Sequence, residues 1–142
     1  VREVDDRAIR YLEAALDAAE QRFVTLLAQQ RLFSENGGEP PAMRVVGELR
    51  RVLRSVTELE GRRDVTFDDL RRLHALRART VWLYRRIAQE RLFARKVQLE
   101  ERLKSMIPPE AYEVYLELQA CEVEEDADRA ATDEELAARL LA

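Results

Sequence analysis

The stretch Thr66-Phe67-Asp68-Asp69-Leu70-Arg71-Arg72-Leu73-His74-Ala75-Leu76 opens a run in which neither glycine nor proline appears until Pro108. These are the two residues that most often interrupt a helix, one through backbone freedom and the other through its missing amide hydrogen. Within the run, Leu70, Leu73, Val81, Tyr84, Ala88, Leu92, Leu99, Leu103 and Met106 follow a 3.6-residue period, and Leu76, Leu83, Ile87, Ala94 and Val97 form a second stripe beside them. Trp82 and Phe93 lie off both. Thr66 stands three residues ahead of Asp69, a capping box with Asp in place of the usual Glu. The spacing predicts helix over 67–106, either as one helix or as two with a kink. A single helix of that length spans roughly 58 Å at ~1.5 Å per residue.

Upstream, Ile9, Leu12, Leu16, Ala19, Phe23, Leu26, Gln30 and Phe33 recur three and four apart, a heptad stripe with one polar interruption at Gln30. Asp5 and Asp6 are placed to cap it, so a helix is expected over 6–34, ending at Ser34-Glu35-Asn36-Gly37-Gly38. Pro40-Pro41 suits the first turn of a second helix, whose stripe is Ala42, Val45, Leu49, Val52, Val56 and Leu59, widened by Val46 and Leu53 and ended by Gly61. Two amphipathic helices with so short a connection fold back as an antiparallel pair over 6–60. Downstream, Pro108-Pro109 breaks the long helix and starts another over 109–125, with Tyr112, Val114, Tyr115, Leu116, Leu118, Cys121 and Val123. Thr132 and Glu135 form a second capping box ahead of a short helix over 133–141. No alternating strand pattern of useful length and no internal repeat occurs. The fold class read from this is all-α: an elongated helical bundle with an amino-terminal antiparallel hairpin and one long central helix, in one domain over 1–142.

Composition agrees. The chain has 142 residues, 46% apolar and 37% charged, with four glycines and four prolines, which leaves little room for a turn-rich β fold. Cys121 is the only cysteine, so no intrachain disulfide forms, and a reducing compartment fits. No apolar run approaches the ~20 residues that cross a bilayer, and the amino end shows no basic segment followed by an apolar one. The expectation is a soluble, cytoplasmic protein with no membrane contact.

Charge is the most uneven property of the sequence. Residues 1–43 carry 5 basic and 8 acidic groups, residues 44–104 carry 17 and 9, and residues 105–142 carry 2 and 11. Between residues 70 and 99 the only acid is Glu90, and between 105 and 128 there are eight acids and no base. One reading is internal neutralisation, in which the helix after Pro108-Pro109 turns back and lays Glu110, Glu113, Glu117 and Glu122 beside Arg91, Arg95, Lys96 and Arg102. That helix is too short to reach the proximal arginines. The other reading therefore has Arg50, Arg51, Arg54, Arg71, Arg72 and Arg79 bind a polyanion, since Arg72, Arg79 and Arg86 recur every seven residues and guanidinium groups suit phosphate geometry.

Motifs for chemistry are sparse. His74 is the sole histidine, so a metal site with two or more His ligands cannot form within one chain; a partly buried, hydrogen-bonded histidine is expected there. Cys121 lies on an apolar helix face and reads as a packing residue. Gly37-Gly38 reads as a turn, not a phosphate cradle. No catalytic residue, cofactor, metal or small-molecule site is expected.

Two resemblances bear on the nucleic-acid reading. Residues 66–84 resemble a helix-turn-helix in their apolar positions, with Thr80-Val81 inside the recognition helix. They depart from it at Arg71 where a small residue is needed, at Ala75 where the turn wants Gly, and at Arg77 where Ser or Thr would cap. Residues from about 5 to 61, with Gly37-Gly38-Glu39-Pro40-Pro41-Ala42-Met43-Arg44-Val45-Val46 as the part most alike, resemble the helical hairpin of bacteriophage terminase small subunits. That resemblance implies a ring-forming oligomer that binds DNA for packaging. Leu59-Glu60-Gly61-Arg62-Arg63 replaces the usual Leu-Thr-Pro type ending, and no functional residue carries across.

The third segment shows more apolar surface than a small chain readily covers. Its aromatics, with Tyr84, Tyr112 and Tyr115, either pack between helices or face a partner. The expected function is a non-enzymatic interaction or assembly protein, homo-oligomeric or bound to another chain, with Leu76, Trp82, Leu83, Ile87 and Phe93 as contacts. The alternative is a nucleic-acid-binding subunit using the basic 44–104 region.

Overall fold

The computed structural model describes residues 2–32, 38–106 and 108–142, and among them it contains five α-helices and no strand. Helix α1 is Arg2–Ala28, α2 is Pro41–Glu60, α3 is Phe67–Ser105, α4 is Glu110–Ala130 and α5 is Asp133–Leu141. The all-α bundle is as the periodicities require. None of these helices is long and apolar enough to cross a membrane.

α3 is one uninterrupted helix, which settles the choice between one helix and two and leaves no turn for a helix-turn-helix at Ala75. Its start is fixed by Thr66, whose hydroxyl accepts from the Asp69 amide at 3.2 Å, and Arg102 and Lys104 favour its carboxyl end through the helix dipole. Both stripes are used. Leu73, Leu76, Val81, Leu83 and Ile87 enter one core with Ile9, Leu16 and Phe23 of α1, Val45, Leu49 and Leu53 of α2, and Leu136 and Leu140 of α5. Beyond Ile87 the helix outruns α1 and α2, and α4 turns back along it over a smaller core of Leu99, Val114 and Cys121.

α1 departs from its expected span at both ends. Helix begins at Arg2, so Asp5 and Asp6 lie in its first turns instead of capping it. The Asp5 side chain is 2% exposed with Arg62 of the α2–α3 loop 2.7 Å away. At the other end the helix stops at Ala28, six residues before the expected limit of 34. Arg31 N–H bonds to the Leu26 carbonyl at 3.0 Å and Gln30 N–H to the Leu27 carbonyl at 3.1 Å, a Schellman motif with Gln30 at φ 54° in the position usually given to glycine. The residue that interrupts the heptad stripe is thus the one that ends the helix, and Leu32 beyond it returns to the core. Phe33 and the expected stop at Ser34 to Gly37 lie outside the described residues. α4 runs five residues past 125 to Ala130, and α5 keeps its expected bounds.

Candidate interaction surface

Most arginines of the basic segment are spent inside the chain. Along α1, Asp6, Glu13 and Glu20 recur every seven residues and meet the heptad of arginines on α3 in parallel register. Arg72 donates to Glu13 at 2.6 Å and to Asp6, Arg79 donates to Asp17 at 2.7 Å and to Glu20 at 3.1 Å, and Arg86 lies over the Phe23 ring at 5.4 Å. Hydrogen bonds from Arg72 first to Asp6 and then to Glu13 hold its guanidinium even more firmly protonated than usual, and the Asp17 bond does the same for Arg79. Neutralisation of Arg72 and Arg79 therefore comes from acids of α1, and Arg77 lies 3.7 Å from Glu60 of α2.

Other arginines close helix ends. Arg50 donates to the Leu140 carbonyl at 2.9 Å, in the last turn of α5. Arg85 reaches the Asp128 and Ala131 carbonyls at the end of α4 and the Asp133 carboxylate at the start of α5, so one side chain of α3 fixes the α4–α5 corner. Arg139 of α5 pairs with Asp128 of α4. On the distal half, Arg95 pairs with Glu117 at 3.6 Å and Lys96 with Glu125 at 3.1 Å. The α3–α4 neutralisation is thus present at Glu117; Lys96 hydrogen-bonds Glu125, which was not among the four expected glutamates, while Glu122, which was, acts on Lys96 at longer range. Lys96 pulls the Glu125 carboxyl below its ordinary range, and the ammonium is raised in return.

Of the six arginines assigned to a polyanion, Arg50, Arg72 and Arg79 are engaged as described. Arg71 stacks on Phe67 at 5.0 Å, Arg51 bonds weakly back to the Gly47 carbonyl at 3.4 Å, and Arg54 is exposed on α2. A cavity of about 480 Å³ opens where α2, α3, α4 and α5 meet, with Arg50, Arg95 and Arg139 on its wall and Ile87 and Cys121 in its lining. Those three arginines already hold Leu140, Glu117 and Asp128. Cys121 is buried, as a packing residue is. His74 is exposed, contrary to the partly buried, hydrogen-bonded histidine expected, because it lies on the side of α3 away from the core.

The five expected contact residues divide. Leu76, Leu83 and Ile87 are buried against α1, α2 and α5 of the same chain, so they are removed from any partner surface, and the three helices together cover what the sequence suggested one polypeptide could not hide. Trp82 and Phe93 remain outside, 51% and 63% exposed. They are eleven residues apart, three helical turns, and therefore share a face about 16 Å long between them. Phe67 is exposed on the same side of α3, Ala75 and Ala78 lie between, and Arg86 covers one edge of Trp82 at 5.3 Å.

A second exposed row was not assigned from the sequence. On α4, Tyr112, Leu116, Gln119 and Val123 follow a 4-3-4 spacing, and all four are exposed, with Tyr112 and Val123 at 64% and 69%. Val114 and Cys121 face α3, so this row is the opposite face of the helix. The 4-3-4 spacing was legible in the sequence; which of the apolar faces of α4 would meet α3 was not. Tyr112 and Tyr115 are accordingly surface residues, not core packing.

Comparison of the chain with protein-family models, with curated proteins and with solved structures finds no match. The likeness of residues 5–61 to terminase small subunits rests on helical pattern alone.

Proposed function

We propose that this chain is a helical assembly protein that binds another polypeptide, in the first place a second copy of itself, through the outward face of α3. The observation that carries the reading is the pair Trp82 and Phe93, two large rings held on one face of a long rigid helix and left half or more in water. Rings of this kind anchor interfaces because they bury much apolar area at low cost in side-chain entropy. A rigid platform adds to this, since α3 loses little freedom when a partner docks.

The test is mass in solution, by light scattering across a hundredfold range of concentration. The wild-type chain is expected to assemble, and Trp82→Ala/Phe93→Ala to stay monomeric with unchanged helix content. A wild-type chain that is monomeric throughout overturns self-association.

The nucleic-acid alternative rests on Arg44, Arg51 and Arg54, which stand exposed on α2, together with Arg71. A DNA or RNA probe that binds at low salt and is released steeply as salt rises would favour it; a probe unshifted at low salt removes it.

A further inference from the structure

Resting on the self-association reading, we infer that the occupant of the α3 aromatic face is the outer face of α4 of another copy, in a head-to-tail contact. Three observations point there.

The two faces match in length. Trp82 and Phe93 are eleven residues apart on α3, and Tyr112 and Val123 are eleven residues apart on α4. Each pair of anchors is thus set about 16 Å apart on a straight helix. Leu116 and Gln119 fill the α4 interval, and on α3 the interval has Arg86 and Gln89.

They are opposite in sign. The α4 row is flanked by Glu113 on one side and Glu122 on the other; among the described residues neither forms an ion pair, and Glu122 meets Lys96 only at longer range. Within the α3 interval Arg86 is stacked on the Phe23 and Trp82 rings and is held by no carboxylate among the described residues, whereas Arg71, stacked on Phe67, lies about 16 Å beyond Trp82. Stacked guanidinium groups keep their outer N–H donors free for a carboxylate arriving from another chain.

Like-with-like pairing is disfavoured at both faces. Two α4 rows brought together set Glu113 and Glu122 of each copy against those of the other, and two α3 rows do the same with Arg86. Like-charge juxtaposition costs affinity, whereas α3 against α4 sets Arg86 of one copy beside a glutamate of the other. A contact between different patches on two copies is heterologous, and it either closes into a ring or continues as a filament.

Mixing two variants tests this. Trp82→Ala/Phe93→Ala loses the α3 face and keeps the α4 face; Tyr112→Ala/Leu116→Ala/Val123→Ala does the reverse. All five substitutions are at exposed side chains, and circular dichroism checks folding. Each variant alone is expected to be monomeric, and the 1:1 mixture to form a heterodimer that grows no further, because each component keeps one competent face. Glu113→Lys/Glu122→Lys, which touches no core residue, should weaken wild-type assembly about tenfold or more. If the α4 variant assembles as the wild type does, or if both variants are monomeric and their mixture contains no heterodimer, this inference is overturned while assembly through Trp82 and Phe93 stands. A wild-type chain that never assembles overturns both.

Discussion

The two halves of α3 are built from similar sequence and packed very differently. From Leu73 to Ile87 the helix is enclosed by α1, α2 and α5, and Leu73, Val81 and Leu83 are almost wholly withdrawn from water. From Leu92 to Ser105 it meets α4, over a core of Leu99, Val114 and Cys121. The polar contacts differ in the same sense: Arg72, Arg79 and Arg85 each hold two or more acceptors on neighbouring elements, while the distal half relies on pairs such as Arg95–Glu117 and Lys96–Glu125. Apolar stripes of one period therefore give different local stability according to how many elements close over them.

The sharpest way to break that comparison is truncation in each half. Leu83→Ala should cost about 2–5 kcal/mol of global stability, read from the denaturant midpoint, because it opens a cavity in the enclosed core. Leu99→Ala should instead speed amide exchange in the distal part of α3 and in α4, while leaving proximal amides protected. Equal loss of protection in both halves would make the chain one cooperative unit and remove the distinction.

Smaller effects sharpen it. Thr66→Ala removes the hydroxyl that accepts from the Asp69 amide and should lower stability by about 1 kcal/mol, all of it at the proximal end. Gln30→Gly should act in the other direction, raising the thermal midpoint by the equivalent of about 0.5 kcal/mol, since glycine adopts a positive φ without the clash that a Cβ brings.

The smallest effect is the pH response of the distal half. Glu125 titrates lower in the folded chain than in the unfolded one because Lys96 hydrogen-bonds its carboxylate. Its contribution is therefore complete above the usual carboxylate range, near ~4.3, and is lost as pH falls through the depressed folded value. The difference in thermal midpoint between wild type and Glu125→Gln should shrink from pH 7 toward pH 3. A difference that is constant with pH would mean the pair contributes nothing by charge.

The internal ion pairs show where reading from the sequence reached its limit. The recurrence of Arg72, Arg79 and Arg86 was plain, and so was that of Asp6, Glu13 and Glu20, yet periodicity within a helix does not say which other helix lies beside it. Only the parallel packing of α1 on α3 brings the two series together, and it takes Arg72 and Arg79 out of the expected polyanion surface by pairing them with acids of α1. Gln30 is a milder case: a polar residue in a heptad stripe is compatible with a tolerated interruption or with a helix end, and the Schellman hydrogen bonds decide for the end.

What the sequence determined by itself is the set of local choices: the helical segments, the Thr66 and Thr132 caps and the breaks at the proline pairs, with 67–106 left as one helix or two. These follow from propensity, capping and period, which act over one or two turns. What tertiary structure decided is which face of each helix meets another. Trp82 and Leu83 are neighbours in sequence, but a step of about 100° around the helix puts Leu83 in a three-sided core and leaves Trp82 in water, since only one of those directions has other elements to close over it.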